Sequence, residues 1–487
     1  MYDLCVIGAG LIGSAAARHA SQQNGTKVCL IGPEEPQERS LESTREIFGA
    51  HYDEGRITRC SDPDPVWAAL AQRSGDYFRF SLYHFIDEGR ISGILVTCSF
   101  KSYQQPESFE NVQDLVTGGT RKFPQKKLQT CGQYLATFPC TPRNRDPEVR
   151  GVAFYMETGC LMAGKAQGHF MSQTRDTVSS QSIKHEYLNP EMLKKRFPYL
   201  NLSRTDAAIY EQTRSGYINP RAMINAQKRV AMNFQCDVID DVVCKITKEQ
   251  MNGTIFMSVL TEGGRKIVSR RVLLATGSFT TFRDLLWTET EPDVTLCPLT
   301  VAKVEVNEND VKHLENMPSI LYYGQGAPDW PENYPRNSTN LIGIYVLPPI
   351  KYPDGKHYIK LGNFADSVSQ RLTTLAEVKA WYCGDGKSSL ATESARLITA
   401  MTKDIKAKSY HGDQCVILET RTGHPYIDLV HSGIGVAIGG NGYAAKSGDE
   451  IGRLAAMLVL RGVWDSDIPA ETFKLRLKPR KKPQSKI

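Results

Sequence analysis

The sequence predicts a mixed α/β fold that begins with a Rossmann-type unit, and three observations near the start of the chain predict it. The segment Asp3–Ile7 is a short apolar run rich in strand-forming residues, and a second such run covers Lys27–Ile31. Between them, Gly8, Gly10 and Gly13 have the spacing G-x-G-x-x-G and are followed by an alanine-rich helical stretch. The order strand, glycine turn, helix, strand is that of a nucleotide-binding βαβ unit.

Each of these glycines has its own physical purpose. Gly8 allows the tight turn, Gly10 lets the backbone approach a pyrophosphate, and Gly13 lets the helix pack closely on the strand. The free N–H groups and the dipole at the helix N-terminus favour the negative charge of the diphosphate. The turn therefore predicts a dinucleotide cofactor.

The acid that usually binds a ribose hydroxyl at the end of the second strand is missing. Gly32 takes its expected place, and Glu34 follows in the next loop. We therefore take Glu34 as the candidate substitute, with a solvated acidic turn as the alternative.

Composition narrows the class of protein. The chain has 487 residues, of which 41% are hydrophobic and 23% charged, as in an ordinary soluble globular protein. No apolar run reaches the roughly 18 residues of a membrane span, and we expect neither a transmembrane segment nor a signal peptide. The twelve cysteines are scattered and lack metal-ligand spacing, so we expect reduced thiols and no metal site.

The net charge of +6 is concentrated in a basic tail over 471–487, where seven Lys and Arg residues follow position 473 without an acid. This distribution does not indicate nucleic-acid binding by the folded part. The last three residues, Ser485-Lys486-Ile487, resemble the peroxisomal address S-K-L, and the alternative is a solvated tail on a cytoplasmic protein.

Further motifs occur along the chain in a fixed order. They are His51–Arg59, Gly216–Arg221, Ala275–Gly277, Lys360–Gly362, Cys415 and a glycine-rich helix start at Gly440–Tyr443. Together they resemble the D-amino-acid oxidase superfamily, most closely its monomeric sarcosine oxidase and N-methyl-amino-acid oxidase branch. The resemblance spans about residues 1–465 except for 101–150. It implies FAD as the cofactor and an oxidoreductase acting on CH–NH bonds.

The resemblance also implies a domain organisation: a Rossmann-type FAD-binding domain with a discontinuous antiparallel-sheet substrate domain. The expected FAD-binding domain comprises 1–89, 207–290 and 416–470, and the substrate domain comprises 90–206 and 291–415. The polar segment 101–150 is an insertion that either covers the pocket or lies on the surface.

In the stretch Arg56-Ile57-Thr58-Arg59, the resemblance places Arg56 near the flavin and Arg59 on the substrate carboxylate. A guanidinium suits this role because its rigid fork pairs bidentately with a carboxylate. The alternative is an arginine pair on a solvated edge. His51 lies where the family often has a histidine beside the flavin, but a packed or solvated histidine is an equal alternative.

Lys360 resembles the lysine above the flavin face in sarcosine oxidases, which helps dioxygen react. A fixed positive charge there lowers the cost of negative charge developing on dioxygen. The alternative is an outward-facing lysine on an alternating strand. Phe364 departs from the family, because sarcosine oxidases have a histidine shortly after this lysine.

The C-terminal motif supplies Gly440 and Gly442 to the cofactor site. Sarcosine oxidases place a carboxylate-binding lysine directly after this motif, whereas this chain has Ala444 there and Lys446 two positions later, about 200° away on a helix. The helical phase therefore does not favour Lys446 as a direct replacement for that lysine, and we count it among the cofactor-binding candidates. Cys415 matches the cysteine that carries FAD through a thioether in that branch, and the alternative is an inert buried thiol.

The resemblance implies oxidation of a secondary amine or amino acid, either N-alkylated or a cyclic imino acid. Hydride transfer to the flavin gives an imine, and O2 is reduced to H2O2. The catalytic candidates are Lys360, Arg59 and Arg56. One alternative is a dehydrogenase that uses another electron acceptor, and another is a non-catalytic interaction protein with the same fold. We expect a monomer with a small-molecule amine or amino-acid substrate.

Overall fold

The computed structural model of the chain describes residues 1–36, 45–79, 154–251, 253–286, 289–364 and 370–480. The predicted insertion at 101–150 and the terminal tripeptide lie outside these residues. The helices are α1 Leu11–Ser21, α2 Pro65–Arg79, α3 His169–Ser180, α4 Pro190–Arg196, α5 Pro220–Asn233, α6 Glu308–His313, α7 Leu375–Tyr382, α8 Ser388–Met401 and α9 Ala444–Arg461.

The strands divide among several sheets. They are β1 Leu4–Ile7, β2 Val28–Ile31, β3 Arg56–Thr58, β4 Tyr155–Met156, β5 Cys160–Lys165, β6 Glu186–Leu188, β7 Asp206–Glu211, β8 Gly216–Ile218, β9 Asp237–Ile239, β10 Val243–Met251, β11 Thr254–Thr261, β12 Lys266–Ser269, β13 Val272–Leu274, β14 Thr290–Pro292, β15 Val294–Val306, β16 Ser319–Gly324, β17 Ile342–Lys351, β18 His357–Asn363, β19 Ser409–Thr420, β20 Tyr426–His431, β21 Ile434–Ile438 and β22 Leu477–Pro479.

A six-stranded sheet of order β20-β21-β13-β1-β2-β9 contains the predicted nucleotide-binding unit. Strand β1 pairs in parallel with both β2 and β13, and β20 is an antiparallel edge strand. The residues of β1 and β2 are all buried, as expected for a parallel sheet covered on both faces. The predicted α/β Rossmann-type fold is confirmed.

Helix α9 packs on α1 closely enough to require glycine. A Cβ at position 452 would lie 2.7 Å from the Cβ of Ala15, and one at position 448 would lie 3.5 Å from the Cβ of Leu11. The buried Arg18 of α1 also binds the carboxylate of Asp449 at 2.6 Å. Because position 11 faces 448 and position 15 faces 452, the two helices run in the same direction.

Helix α9 extends beyond the end that the sequence predicts. The sequence predicts a helix over Ala444–Val459, whereas the structure continues to Arg461. Gly462 caps it with φ of +67°, a left-handed conformation that glycine adopts without steric cost. The glycine therefore ends the helix.

An eight-stranded sheet of order β19-β15-β18-β17-β16-β5-β7-β6 forms the second large layer. Its pairs are antiparallel except for β16 with β5. One face packs against α8 and is mostly apolar, with Ile359 and Leu361 of β18 in that core. The opposite face carries Lys360, so the alternation of β18 separates the core from the candidate site.

Smaller sheets complete the fold. They are β10-β11-β12, β14-β22 and β3-β8-β4. In the described part of the chain, no helix combines the length and the apolar character that crossing a membrane requires. The domain boundaries given above stay a prediction.

Candidate active site

The glycine turn has the geometry that its spacing predicts. Gly8 has φ of +108°, and a Cβ there would lie 2.3 Å from the carbonyl oxygen of Ala275. A Cβ at Gly13 would lie 1.7 Å from the carbonyl oxygen of Gly8, so helix and turn could not pack with any larger residue. A Cβ at Gly10 would meet nothing within 4 Å. Open space thus faces the start of α1, where a phosphate group could approach the backbone.

Glu34 is exposed, and its backbone N–H donates to Asp240 at 2.8 Å. Its ribose-binding role stays a prediction. The neighbouring Glu35 binds the guanidinium of Arg221 at 2.6 Å, and Arg221 also binds Glu54 at 2.8 Å. This bridge ties the loop after β2 to the start of α5.

Register places the predicted lysine and cysteine on one face of the large sheet. Lys360 of β18 lies directly opposite Lys303 of β15, and Cys415 of β19 lies opposite Leu299 of the same strand. Because Leu299 and Lys303 are four residues apart, their side chains point to the same face. We call the face that carries Lys360, Lys303 and Cys415 the site face.

Lys360 is fully buried, so the alternative of an outward-facing lysine is wrong. Its ammonium donates to the carboxylate of Asp53 and, at 2.8 Å, to the carbonyl oxygen of Gly55. Asp53 also accepts from Arg56 and, at 2.8 Å, from the Tyr352 hydroxyl. One carboxylate therefore holds the two cations that the sequence assigned to the flavin.

The charges of this cluster control its protonation. Burial alone would raise the pKa of Asp53, but Lys360, Arg56 and Lys303 hold it well below its ordinary value. Burial and the Arg56 charge lower the pKa of Lys360 to about 8, although Asp53 opposes them. Lys303 lies 3.9 Å from Asp53 and pairs with Asp413, so the three cations outnumber the two carboxylates.

Arg59 is only 3% exposed, which contradicts the alternative of a solvated arginine edge. Its Nη2 donates to Oδ2 of Asp62 at 2.9 Å, and the same oxygen accepts from Nζ of Lys446 at 2.7 Å. The ring of Tyr443 lies 6.0 Å from the guanidinium carbon and 5.1 Å from Nζ. Lys446 therefore reaches the Arg59 region from α9 and binds Asp62 there, and its cofactor-binding role stays a prediction.

Burial lowers the pKa of Lys446 to about 8, with Asp62 opposing the shift. In this group two cations share one carboxylate, so a net positive charge is retained in a buried place. The buried Nε of Arg59 has no hydrogen-bond partner among the described residues. Both features favour an additional anionic ligand.

The backbone between Arg59 and Asp62 is fixed by Glu211 of β7. This carboxylate is 1% exposed and accepts from the N–H groups of Cys60 and Ser61 at 3.0 and 2.8 Å. The Ser61 hydroxyl adds a third bond at 2.6 Å. Burial raises the pKa of Glu211, although these bonds oppose the shift.

Cys415 is half-buried and lines a cavity of about 50 Å³ together with Phe48, Tyr382 and Arg56. Its Sγ lies 4.0 Å from Nη2 of Arg56. The thiol therefore faces open space and a positive charge.

His51 has a ring packed edge-on against Tyr52, with ring centroids 4.8 Å apart. Burial and the charges of Lys228, Arg221 and Arg56 lower the pKa of His51 to about 3. The ring is therefore neutral and packed rather than solvated, and its position beside the flavin stays a prediction.

Gly440 and Gly442 form the turn before α9. Gly442 has φ of +79°, and a Cβ at Gly440 would lie 2.8 Å from the Cβ of Ala444. Between them, the Asn441 side chain accepts from the N–H of Thr420 at 2.8 Å. The turn is therefore tied to the end of β19, the strand that carries Cys415.

The family profile for FAD dependent oxidoreductases (DAO) matches residues 3–458 of the chain. The chain belongs to this DAO family. The predicted superfamily is thereby confirmed, and the protein is an FAD-dependent oxidoreductase.

Solved structures share the DAO fold at low sequence identity. NikD, an unusual amino acid oxidase essential for nikkomycin biosynthesis, has a TM-score of 0.63 at 14% identity, covering 99% of both chains. Fructosyl amine:oxygen oxidoreductase (Amadoriase I) from Aspergillus fumigatus has a TM-score of 0.58 at 14% identity, covering 97% of this chain and 89% of the other. L-proline dehydrogenase from P. horikoshii has a TM-score of 0.60 at 13% identity, covering 97% and 96%.

No curated protein sequence matches the chain significantly. At these identities the structural similarity establishes the fold alone.

The residues present fit the FAD of the DAO family. Space opens at Gly10 beside a helix N-terminus whose first turn contains no acid. Arg56 and Cys415 lie at a second cavity, on the face of the large sheet that bears Lys360. Among the described residues, no group of side chains could hold a metal ion.

Sequence reasoning missed the acids that organise this DAO site. Asp53 and Asp62 each lie three residues from one of the predicted arginines, so the spacing could have indicated i,i+3 pairs. Lys303, Tyr323 and Tyr345 are close to the site only through strand pairing, and no local signal indicates them.

Proposed function

We propose that the chain is an FAD-dependent oxidase that acts on a carbon–nitrogen bond of a secondary amine or amino acid and reduces O2 to H2O2. The observation that carries this proposal is the buried Lys360, which lies within a net cationic cluster on the site face. The similar structures include an amino acid oxidase, a fructosyl amine oxidoreductase and a proline dehydrogenase, and they support carbon–nitrogen chemistry.

Arg59 binds the substrate carboxylate in this proposal. Its guanidinium is buried, its Nε has no partner among the described residues, and its group with Asp62 and Lys446 is net positive. Since water is largely excluded, each hydrogen bond to a carboxylate is stronger there than at a surface. Asp62 orients the fork of Arg59, because it fixes Nη2.

Bound FAD would supply the hydride acceptor and carry the two electrons to dioxygen. Lys360 contributes a fixed positive charge where dioxygen gains electrons. Preorganised charge of this kind lowers the energy of a developing anion without reorganisation. Asp53 holds the ammonium in place, and Lys303 and Arg56 keep the surroundings cationic.

A covalent flavin at Cys415 is part of the proposal. The thiol faces a cavity with Arg56 beside it. Formation of the thioether would remove the thiol proton and one C–H bond of the 8α-methyl group, the flavin ring would take up the two electrons, and dioxygen would reoxidise it. On a denaturing gel, yellow fluorescence should migrate with the chain and disappear in Cys415→Ser. The exposed Cys383→Ser serves as the matched control and should retain it. Fluorescence wholly in the released fraction of the wild type would contradict the linkage.

One observation favours a dehydrogenase that uses another electron acceptor. Asp53 pairs directly with Lys360 and so offsets part of the charge offered to dioxygen. An anaerobic titration distinguishes the two functions, because substrate bleaches the flavin in either case. Rapid return of the 450 nm band in air, with stoichiometric peroxide, supports the oxidase, whereas slow return that a quinone accelerates supports the dehydrogenase.

The titration must be preceded by a substrate screen. N-alkyl amino acids, cyclic imino acids and free amino acids should be compared for flavin bleaching, and failure of all three classes would contradict carbon–nitrogen oxidation. A peroxisomal location would suit a peroxide-forming enzyme and stays a prediction of the sequence.

A further inference from the structure

The site face of the large sheet carries a row of aromatic side chains next to Lys360. Tyr323 of β16 pairs with Gly343 of β17, and Tyr345 of β17 pairs with Gly362 of β18. Gly362 is two residues after Lys360, so these pairs point to the same face as the lysine. Each tyrosine therefore lies opposite a residue without a side chain.

The glycines determine how the rings lie. A Cβ at Gly343 would be 3.0 Å from Cε1 of Tyr323, and one at Gly362 would be 2.3 Å from Cε1 of Tyr345. The rings consequently lean across the neighbouring strands, where an ordinary side chain would hold them upright. Each ring thus lies close to the position that a side chain of its neighbouring glycine would occupy.

Two phenylalanines extend this surface. Phe170 lies 4.5 Å from the Tyr323 ring, measured between centroids, and Phe364 lies 6.2 Å from Tyr323 and 5.6 Å from Tyr345. The ring planes of Tyr323 and Phe364 are nearly parallel, at an interplanar angle of 4°. We call Phe170, Tyr323, Phe364 and Tyr345 the aromatic floor. All but Tyr345 are only half-buried, so part of each of these side chains is exposed.

The aromatic floor lies between the two cationic groups of the site. At one end, Nζ of Lys360 lies 5.7 Å from the Tyr345 ring centroid. At the other end, Phe170, Tyr323 and Phe364 pack against an apolar cluster that includes Cys60, the residue next to Arg59. A ligand anchored at Arg59 would therefore extend over aromatic faces.

We propose that the aromatic floor selects substrates with a flat aromatic ring, held by ring stacking while the carboxylate binds Arg59. This inference rests on the proposed function and names the substrate class of the same site. Offset stacking at ring separations of about 4.5–7 Å adds affinity beyond apolar burial, and a puckered aliphatic ring gains less from it. Phe364, which stands where the resemblance would place a histidine, is then a specificity-determining residue.

The test is calorimetric titration of the FAD-loaded enzyme with benzoate and with cyclohexanecarboxylate. The two probes share the carboxylate and the ring size and differ in planarity. We expect benzoate to bind about fivefold more tightly, as one aromatic pair implies. Equal affinity, tighter cyclohexanecarboxylate binding or no binding of either probe would overturn the proposal.

Substitutions test whether the aromatic floor causes the preference for benzoate. Phe364→Leu should reduce the benzoate preference to near unity while FAD affinity and cyclohexanecarboxylate binding are retained. Phe234→Leu, at an exposed position after α5, is the matched control and should change nothing. Tyr323→Leu should act like Phe364→Leu and Tyr323→Phe should restore the preference, so the proposal stays testable if one variant fails to fold.

Two outcomes distinguish a failure of the aromatic-substrate inference from a failure of the proposed function. If Phe364→Leu weakens FAD binding and leaves the benzoate preference intact, the floor serves the nucleotide and the inference is wrong. If the benzoate preference behaves as expected but no amine in the screen bleaches the flavin, the proposed function fails and the aromatic subsite stands.

Discussion

Asp53 and Lys360 form a buried ion pair that joins the loop before β3 to the centre of the large sheet. Neither side chain is more than 4% exposed. The pair matters because it fixes the lysine that we propose to act on dioxygen, and because Arg56 and Tyr352 bind the same carboxylate. Removing one member leaves buried charge without compensation.

Asp53→Asn should therefore destabilise the protein by about 3–5 kcal/mol, the usual cost of breaking a buried pair from one side. Chemical denaturation followed by fluorescence measures it. Glu46→Gln removes a carboxylate that pairs with Arg283 at the surface, and this control should cost about 0.5 kcal/mol or less. A loss equal to that of the control would mean that Lys360 does not depend on Asp53.

Substitutions at two glycines of the nucleotide turn should have different effects, one on folding and the other on cofactor binding. Gly13→Ala places a Cβ 1.7 Å from the Gly8 carbonyl oxygen and should cost about 3 kcal/mol or more in the apoprotein. Gly10→Ala meets no protein atom within 4 Å and should change apoprotein stability by about 1 kcal/mol or less. Denaturation and FAD titration of both variants check this, since Gly10→Ala should still bind FAD poorly.

The rate of the reaction with dioxygen should fall as pH rises through about 8. Burial and Arg56 lower the pKa of Lys360 to about 8, so above that pH the folded protein loses the positive charge that helps dioxygen. Stopped-flow reoxidation of the reduced enzyme measures the profile. Lys360→Met should be slower at pH 7 by about a hundredfold, the usual effect of a preorganised charge, and should lack the inflection.

Lys446 also has a pKa lowered to about 8, so it is the control for that profile. Lys446→Met should keep the reoxidation inflection. The pH dependence of stability has the opposite sign to that of the reoxidation rate. Between pH 8 and 10.5, the ordinary lysine pKa in the unfolded chain, the unfolded chain holds more protons on Lys360 and Lys446 than the folded protein does. Their contribution to the free energy of unfolding should therefore rise with pH across this window.

Arg59→Lys should raise KM for a carboxylate substrate by about 10- to 100-fold, since lysine keeps the charge but loses the fork. An amine without a carboxylate should show no such increase. Steady-state kinetics with both substrates test this, and Arg175→Lys on α3 is the matched control. An equal effect on both substrates would place Arg59 away from the carboxylate.

The nucleotide turn could be predicted because its determinants are local. The clashes at Gly8 and Gly13 arise within one turn and the strand beside it, and the spacing encodes them directly. The site face could not be predicted in the same way. Lys303 meets Lys360 through the pairing of β15 with β18, and Cys415 is added through the pairing of β15 with β19, more than a hundred residues away in the chain. Such pairing depends on the whole sheet.

Lys446 shows what could not be predicted from the sequence alone. Helical phase indicates correctly that it points about 200° from Ala444, but not what lies on that side. Asp62 is supplied by the segment before α2, and only the packed structure brings the two together. The resemblance singled out Arg56, Arg59 and Lys360, whose catalytic roles stay predictions, whereas the carboxylates that pair with them became visible only in the structure.

The parallel contact of α1 and α9 has a practical consequence for anyone who redesigns this protein. α1 opens at the nucleotide turn and α9 opens near Lys446, and the glycines at 448 and 452 lock their starts together. A library aimed at new amines through the first turns of α9 would therefore also disturb cofactor loading. Keeping both glycines fixed and randomising the aromatic floor would let substrate specificity be changed independently of cofactor binding.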